Sequence, residues 1–253
     1  MRGLFVTGTD TGVGKSVLSA ALIAAMVAAG ERVRAYKPVV TGLDEPNDAG
    51  SEAPLPSGAS AAERWPPDHE LLASVAGMTA EEVSPLRFGP AVSPHLAAEL
   101  AGARIDPAEL LAHARGDADR DVHRSADHRP AAEETLVVEG VGGLLVPLTA
   151  DYTVCDFAAA VGLPLVIAAR PGLGTINHTL LTLHVARSAG LRVCAVVLTP
   201  WPEQPTALER SNRETIERLG EIEVQTLAHI PTSARSDLAH AGGALPWRRW
   251  SPR

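Results

Sequence analysis

Residues 8–16 read GTDTGVGKS and join a short apolar run, residues 3–7, to a longer apolar segment, residues 16–29. The short run is typical of a β-strand. The longer segment is typical of a buried helix, because it is apolar on nearly every face and stops at Gly30. Glycines in the connection let backbone N–H groups turn inward, and the helix N-terminus adds positive potential. The stretch therefore predicts a phosphate-binding loop.

The spacing of this loop departs from the usual pattern by one residue. The common signature GxxxxGK[ST] would place a glycine at position 9, where this chain has Thr9, with Gly8 one place early. A plain glycine turn remains the alternative. If the loop binds phosphates, Lys15 reaches the outer ones and Ser16 offers its hydroxyl to Mg²⁺. The predicted phosphate-loop contacts are Gly12, Val13, Gly14, Lys15, Ser16 and Val17.

The rest of the chain alternates apolar strands with helical segments, which is typical of an α/β fold with a mostly parallel sheet and helices on both faces. Further strands are predicted at residues 32–40, 135–138, 163–169 and 192–198. Further helices are predicted at residues 68–76, 94–101, 107–114, 154–161, 175–190 and 205–219. One P-loop NTPase domain is expected over residues 1–253, with a flexible insertion at about 42–67 that is poor in large apolar residues.

Composition excludes several classes of function. The net charge is −8, and apart from the pair Arg248-Arg249 the arginines are scattered singly, so no basic stripe is present for nucleic acid or an anionic membrane. Cys155 and Cys194 are isolated in apolar runs and form neither a disulfide framework nor a CxxC metal site. The longest apolar stretch, residues 17–29, is too short to span a bilayer. A cytoplasmic location is expected.

Only two of the 22 basic residues are lysines, Lys15 and Lys37. Arginine carries a wide planar fork, whereas lysine carries a compact ammonium suited to a tight site for phosphate or a developing anion. Lys37 lies at the carboxyl end of the second predicted strand, facing the crevice where such sheets bind ligands. A structural lysine whose stem snorkels to solvent is the alternative.

A carboxylate is expected near the phosphate loop, at the end of another strand, to hold a metal or its water shell. Glu139 ends the apolar run TLVV and precedes Gly140, Val141 and Gly142, which let the backbone pass close to a ligand. A solvated glutamate at a strand end is the alternative. Glu139 is therefore a candidate metal ligand.

Residues 172–178 read GLGTINH and follow the fourth strand at the start of a helix. The free N–H groups of such a helix form an anion site suitable for a carboxylate, although many helices begin after glycine. The nine histidines show no HExxH or paired-ligand spacing, and no GxSxG elbow is present. Metal-dependent hydrolysis and serine acyl transfer are therefore excluded.

Together these segments resemble the dethiobiotin synthetase family of magnesium-dependent P-loop ATPases. The matching segments, which occur in the same order and span most of the chain, are GTDTGVGKS at 8–16, YKPVVTG at 36–42, SPH at 93–95, VEGVGG at 138–143 and GTINH at 174–178. The early glycine of the phosphate loop is a peculiarity of that family. The resemblance therefore explains the departure from the common signature.

The resemblance implies a ring-closing reaction. Diaminopelargonate takes up CO2 (from bicarbonate) as a carbamate, ATP phosphorylates the carbamate, and the second amine closes the ureido ring with loss of phosphate. Lys37 and Lys15 are implied to stabilise the carbamate and the transferring phosphoryl group. Thr11, as a further catalytic residue, and Thr41 are implied to lie beside the substrate amines. The implied cofactor is Mg²⁺, and the co-substrate is ATP or another nucleoside triphosphate.

The metal ligands implied by the resemblance are Ser16, Glu139 and an aspartate. We choose Asp68, just before the predicted helix DHELLAS, over Asp44 and Asp48, because the insertion makes these two poorer fits.

The resemblance also implies a homodimer with sites near the subunit interface, in which the GTIN loop binds the substrate carboxylate of the other subunit. Its implied substrate contacts are Thr175, Ile176 and Asn177. The implied nucleotide contacts outside the phosphate loop are Glu139, Gly140, Val141, Gly142, Thr199, Pro200 and Pro231. Family members that read adenine closely have an asparagine after the fifth strand, where this chain has Thr199-Pro200. Nucleotide preference is therefore left open.

Two other readings remain. The synthetase part of a cobyrinate amidase shares the loop, but this chain lacks room for a glutaminase domain and lacks its cysteine nucleophile. A partition-type switch ATPase usually carries an extra lysine early in its loop, whereas Lys15 is the first lysine here.

Overall fold

The computed structural model describes residues 1–44, 65–116 and 134–251. In chain order its strands are β1 (Arg2–Gly8), β2 (Arg32–Tyr36), β3 (Val39–Val40), β4 (Leu86–Arg87), β5 (Glu134–Gly143), β6 (Leu165–Ala169), β7 (Val193–Trp201) and β8 (Val224–Ala228). Its helices are α1 (Lys15–Ala28), α2 (Asp68–Ala76), α3 (Ala80–Val83), α4 (Pro94–Leu100), α5 (Pro107–Arg115), α6 (Val154–Val161), α7 (Thr175–Ser188), α8 (Ala207–Gly220), α9 (Arg235–Gly243) and α10 (Trp247–Trp250).

Six strands form one parallel sheet in the order β2-β5-β1-β6-β7-β8. Strand β1 is flanked by β5 and β6, which come from much later in the chain. The carboxyl ends of all six strands lie along one edge, where ligands bind in open α/β sheets. The predicted parallel α/β fold is confirmed, and the loops after β1, β2, β5, β6 and β7 share this edge.

Successive residues of β1 serve opposite faces of the sheet. Leu4 and Val6 belong to one apolar core, together with residues of α1, α2, α9 and α10. Phe5 belongs to a second core, together with residues of α4 to α8. Side chains alternate along a strand, so a sheet covered on both faces needs continuously apolar strands. This explains the unbroken apolar runs in the sequence.

The predicted strand at residues 32–40 is wrong as one element. Strand β2 ends at Tyr36, and β3 pairs with β4 in a separate two-stranded sheet. Pro38 has no N–H to donate to a ladder, and the Lys37 N–H donates to the Val83 carbonyl oxygen at 2.8 Å instead. The chain therefore leaves the main sheet at Lys37.

Several elements extend beyond the predicted ones. Strands β5 and β7 continue past the expected ends, to Gly143 and Trp201, and β8 and α9 were not predicted. Most of the predicted insertion at 42–67, namely residues 45–64, lies outside the described residues, as does Asp48. The flexibility of the insertion and the single-domain organisation stay predictions. None of the helices in the described ranges has the length and apolarity needed to cross a membrane.

Candidate active site

The phosphate loop connects the end of β1 to the start of α1. Gly12 and Gly14 have φ angles of 70° and 88°, in the left-handed region that favours glycine, and α1 begins directly after Gly14. Lys15 is 7% exposed, and its Nζ donates to the Asp10 carbonyl oxygen at 2.8 Å. The loop thus curls around the Lys15 ammonium at the N-terminus of a buried helix.

Two glycines of the loop allow close packing. A Cβ on Gly8 would lie 2.8 Å from the Val13 Cγ2 and 3.1 Å from the Lys15 Cδ. A Cβ on Gly14 would lie 2.9 Å from the Thr199 Cγ2. Both distances to methyl carbons are shorter than normal carbon contacts. The early glycine therefore has a physical role, since it lets the loop fold over the end of β1.

Lys37 is the centre of an ionic network at the same edge of the sheet. The residue is 4% exposed, and its Nζ lies 2.5 Å from the Glu139 Oε1 and 2.6 Å from the Asp68 Oδ2. The Ser16 hydroxyl donates to the same Glu139 Oε1 at 2.8 Å. Four predicted site residues are thus joined in one network. They are Glu139 on β5, Ser16 at the start of α1, Asp68 at the start of α2 and Lys37 directly after β2.

Glu139 has the chemistry of a metal ligand. It is 0% exposed, and its Oε2 has no hydrogen-bond partner within the described part of the chain. The carboxylates of Glu139 and Asp68 and the Ser16 hydroxyl are hard oxygen donors of the kind that Mg²⁺ takes. Among residues 1–44, 65–116 and 134–251, no three His, Cys, Asp or Glu side chains are grouped so that they could hold a metal ion by themselves. A site here would use the hydroxyl and two carboxylates, which leaves coordination positions for phosphate oxygens and water.

The two lysines have pKa values shifted in opposite directions. Burial lowers the pKa of Lys15 to about 8, and the nearby Lys37 charge adds to this effect. Burial also disfavours the charged form of Lys37, but the Asp68 and Glu139 carboxylates outweigh it and raise its pKa above the ordinary value. The partial burial of Asp68 opposes its ionisation, but the Lys37 ammonium holds the pKa of this carboxyl below its usual range. Lys37 is therefore a permanent cation at neutral pH, whereas Lys15 is closer to its titration point.

Of the two candidate aspartates in the described residues, Asp44 and Asp68, Asp68 is the one in contact with the network. It is the first residue of α2, and its side chain is 47% exposed. The Asp44 N–H donates to the Gly89 carbonyl oxygen at 2.9 Å, and a Cβ on Gly89 would lie 2.0 Å from the Asp44 Oδ2. The Asp44 carboxylate thus packs on the Gly89 backbone. The choice of Asp68 has geometric support.

The residues expected beside the substrate amines lie in two loops, Thr11 in the phosphate loop and Thr41 after β3. Thr11 is exposed at the tip of the phosphate loop, and a Cβ on Gly142 would lie 3.6 Å from its hydroxyl oxygen. Thr41 is half-buried in the segment that follows β3. The adjoining Gly42 N–H donates to the Pro90 carbonyl oxygen at 3.0 Å, which anchors this segment.

The GTIN loop lies at the start of α7, after the end of β6. Gly174 has a φ of 89°, and Thr175 is buried, Ile176 half-buried and Asn177 exposed. The Asn212 amide on α8 donates to the Pro171 and Gly172 carbonyl oxygens at 2.9 and 3.0 Å. The Asn212 side chain therefore fixes the start of the loop to α8, while the Asn177 side chain is exposed to solvent.

The predicted nucleotide contacts outside the phosphate loop fall in two places. Gly140, Val141 and Gly142 follow Glu139 within β5, close to the loop. Thr199 is buried with its methyl group against Gly14, while Pro200 and Pro231 are exposed. Pro231 lies in the segment between β8 and α9.

Arg170 was not predicted as a site residue, although it follows β6 at the same edge of the sheet. Its Nη2 donates to the Gly12 carbonyl oxygen at 3.4 Å and so supports the outer side of the phosphate loop. Its position directly after the apolar run 165–169 is the sequence signal for a charged residue at the ligand-binding edge of the sheet.

Known proteins resemble this chain over most of its length. A family model described as an AAA domain matches residues 2–238. The ATP-dependent dethiobiotin synthetase of Bacillus subtilis (strain 168) is 35% identical over 223 residues, covering 87% of this chain and 83% of that protein. The enzyme of the same name from Anaeromyxobacter dehalogenans (strain 2CP-1) is 40% identical over 198 residues, covering 78% and 76%. That of Anaeromyxobacter sp. (strain Fw109-5) is 36% identical over 250 residues, covering 94% and 98%.

Proposed function

This chain belongs to the family of ATP-dependent dethiobiotin synthetases, and from that premise we propose how its own side chains carry out the reaction. The protein is an ATP-dependent ligase of biotin biosynthesis that forms dethiobiotin. This membership decides against the cobyrinate amidase and the partition ATPase. The observation that carries the proposal is the contact of Lys37 with Asp68 and Glu139 beside the phosphate loop.

The proposed reaction has three bond-forming steps. One amine of diaminopelargonate attacks the carbon of CO2 and loses a proton, which gives a carbamate. A carbamate oxygen then attacks the γ-phosphorus of the nucleotide, and the nucleoside diphosphate leaves. Finally, the second amine attacks the carbonyl carbon of this carbamic-phosphoric anhydride, and inorganic phosphate leaves as the ureido ring closes. Negative charge develops first on the carbamate and then on the transferring phosphoryl group.

Lys37 and Lys15 fit the two places where this charge develops. Lys37 is a buried point charge with a raised pKa, so it presents a full positive charge to the carbamate. Lys15, at the N-terminus of α1, faces the phosphoryl group together with the N–H groups of the phosphate loop. Thr11 and Thr41 accept hydrogen bonds from the two substrate amines. Phosphoryl transfer depends mainly on such positioning and charge neutralisation.

The proposed Mg²⁺ ligands are Ser16, Asp68 and Glu139, and the orphaned Glu139 Oε2 supports this assignment. When bound, the metal neutralises charge on the nucleotide phosphates. The protein's own contribution is to hold a hydroxyl and two carboxylates in one place, with Glu139 fixed in the buried end of β5.

The proposed assembly is a homodimer in which Thr175, Ile176 and Asn177 of one subunit bind the substrate carboxylate in the other subunit's site. Two features support it. The N–H groups at the start of α7 form an anion site next to the exposed Asn177. Leu173, directly before this loop, is 92% exposed, which leaves apolar surface beside the anion site that a partner could cover.

The proposal is tested by incubating the protein with diaminopelargonate, ¹³C-bicarbonate, Mg²⁺ and nucleotide. The expected product is dethiobiotin with one ¹³C atom in the ureido carbonyl, detected by mass spectrometry. Absence of the labelled ring, with a folded protein, would contradict the proposed function.

The metal assignment is tested with Glu139→Gln and Asp68→Asn, since an amide lacks the charge that holds the ion. The Mg²⁺ concentration for half-maximal rate is expected to rise at least about tenfold in each. Glu134→Gln is the matched control, because Glu134 lies on the same strand but pairs with Arg34. If Asp68→Asn needs the same Mg²⁺ concentration as the unsubstituted protein, Asp68 is not a ligand and Asp44 or Asp48 becomes the candidate for the third ligand.

A further inference from the structure

The Lys37 ammonium lies on the same carboxylate oxygens that are proposed to hold the metal. The Glu139 Oε1 accepts from the Lys37 Nζ at 2.5 Å and from the Ser16 hydroxyl at 2.8 Å. The Asp68 Oδ2 accepts from the same Nζ at 2.6 Å. Every group assigned to Mg²⁺ is therefore in contact with Lys37 or shares an oxygen with it.

An ammonium and a divalent ion cannot both occupy this position. Mg²⁺ binds its oxygen ligands at about 2.0–2.1 Å, so an ion on the Glu139 carboxylate, through Oε1 or the unpartnered Oε2, lies close to the ammonium on the same group. The two positive charges would also repel strongly, because Glu139 is 0% exposed and little water screens them. Binding of the metal therefore weakens the hold of Glu139 and Asp68 on the ammonium.

We propose that Lys37 is a built-in counter-cation which exchanges with Mg²⁺, so that metal binding to Asp68 and Glu139 releases the Lys37 ammonium to the carbamate. This inference rests on the proposed function, from which it takes the metal ligands and the carbamate. Lysine suits the exchange, because its ammonium ends a flexible four-carbon stem.

The exchange links two events that the reaction needs together. In the absence of metal, Lys37 neutralises a buried glutamate that would otherwise be an uncompensated charge. When metal is bound, the same carboxylates no longer hold the ammonium, which becomes available to a substrate anion. The Lys37 ammonium is thus available to the substrate only when the site already holds Mg²⁺.

Lys15 provides a matched control within the same site. It is also buried and also close enough to Glu139 for their charges to interact, but its Nζ donates to the Asp10 carbonyl oxygen. Lys15→Met and Lys37→Met each remove one positive charge from the site. Only Lys37→Met removes a group that contacts the carboxylates.

The first test measures Mn²⁺ binding to the nucleotide-free protein by the loss of the free-ion electron paramagnetic resonance signal. Exchange predicts that Lys37→Met binds Mn²⁺ on the order of tenfold more tightly than the unsubstituted protein, and clearly more tightly than Lys15→Met. Equal tightening in both variants would indicate a general charge effect and overturn the exchange. Unchanged or weaker binding in Lys37→Met would overturn it as well.

The second test needs no change at Lys37. Because the chain has only two lysines, protein labelled with ¹³C at the lysine Cε gives two signals, and Lys15→Met assigns them. Mg²⁺ is expected to shift the Lys37 signal in a saturable way and to shift the Lys15 signal less. A Lys37 signal that stays in place while Mg²⁺ binds would overturn the exchange.

Glu139→Gln separates failure of the inference from failure of the proposed function. If Mn²⁺ binds the unsubstituted protein and Lys37→Met equally, and Glu139→Gln abolishes binding, the metal site stands and only the exchange is overturned. If Mn²⁺ binds neither protein, even with ATP present, the metal assignment and the exchange both fail.

Discussion

Lys15 and Lys37 are the two lysines of the chain, both are buried, and their surroundings differ. Lys37 has two carboxylate partners, whereas Lys15 has a backbone carbonyl. A buried ammonium is stable only with such compensation, so each environment decides how the residue responds to substitution and to pH.

Lys37→Arg is expected to lose most activity while the protein stays folded. The substitution keeps the charge, but the planar fork is too wide for a pocket shaped around an ammonium between Asp68 and Glu139. Loss of one preorganised charge contact costs about 3 kcal/mol in the transition state, or roughly a hundredfold in kcat. Turnover is measured by product formation and folding by circular dichroism. Near-normal turnover would contradict the role given to Lys37.

Lys15 is expected to titrate near pH 8. Its pKa is lowered to about 8 in the folded protein from 10.5, so between these values the unfolded chain binds more protons than the folded one. The free energy of unfolding therefore rises with pH in this window, by at most about 1.4 kcal/mol per pH unit. Urea unfolding at pH 8 and pH 9.5 measures the rise. Lys15→Met should lack this contribution, and an identical pH dependence in both proteins would contradict the lowered pKa.

The sequence predicted Lys15, Ser16, Lys37 and Glu139 at one site, because each belongs to a loop or strand end at the carboxyl edge of a parallel sheet. It could not predict that Lys37 and Ser16 share one Glu139 oxygen. The two contacts join residues that are 102 and 123 positions apart in the chain. They depend on the directions that side chains from different elements take. Asp68 was selected by its place at a helix start, which left Asp44 and Asp48 open.

At the scale of elements, helices α1 and α9 approach each other at a single glycine. A Cβ on Gly242 would lie 2.0 Å from the Ala21 carbonyl oxygen, whereas a Cβ on Gly243 would have no atom within 4 Å. Helix α1 is packed in the core on one face of the sheet, so its backbone cannot shift without disturbing that packing. The contact between the two helices therefore depends on the absence of a side chain at Gly242.

Gly242→Ala is expected to destabilise the protein by about 1–3 kcal/mol, as overpacking against a backbone does. Gly243→Ala, one residue along the same helix, is expected to stay within about 0.5 kcal/mol. Both values come from chemical denaturation followed by tryptophan fluorescence. Equal effects of the two substitutions would show that helix propensity, and not the approach to Ala21, determines the result.

The end of β7 bears on nucleotide choice. The Thr199 methyl group packs on Gly14, and Pro200 has no backbone N–H. This strand end therefore offers no side-chain amide that could make a paired hydrogen bond to a base. Shape and stacking alone discriminate by about 1–3 kcal/mol. CTP, GTP and UTP are therefore expected to support ring closure within roughly a hundredfold of ATP in kcat/KM. A preference for ATP of several thousandfold in parallel assays would show that another element reads the base.

Elements with continuous apolar runs were the predictable ones, because burial on both faces leaves a strong pattern. Strand β8, VQTLA, is a short edge strand with half-buried positions, and α9, RSDLAHAGG, has Leu238 as its one large apolar residue. Neither carries enough periodicity to identify it. Pro38 is the sequence signal for the break of the predicted strand at Lys37-Pro38, because proline has no N–H to donate to a ladder.

At the scale of the whole molecule, the proposed site draws on two subunits: Lys37 from one and Asn177 from the other. Lys37→Arg and Asn177→Ala are then each inactive in homodimers. A mixed dimer regains one site with both native residues. In a two-fold symmetric dimer each contact between the subunits occurs twice, so each subunit would complete the other's site.

Equal amounts of the two variants, unfolded and refolded together, are expected to recover about a quarter of the unsubstituted activity, since half of the dimers are mixed and each has one intact site. Each variant refolded alone is the control. Activity no greater than the mean of the two controls, with dimers present by light scattering, would place both residues in the same subunit's site.

The strand order could not be read from the sequence. Local patterns indicate that strands exist, but the placement of β1 between β5 and β6 is decided by how the whole chain packs. That placement brings the phosphate loop beside Glu139, so the site follows from long-range topology more than from any local motif.

The same topology has a consequence for synthesis on the ribosome. Strands β1 and β2 leave the exit tunnel early, but their sheet partners lie at residues 134–143 and 165–169. Until those residues have been translated, the nascent chain carries two strands with unpaired edges, which are open to aggregation and to chaperones. Formation of the phosphate-loop scaffold is therefore a late event of translation, and slow codons placed after β6 would give the sheet time to close before the remaining strands emerge.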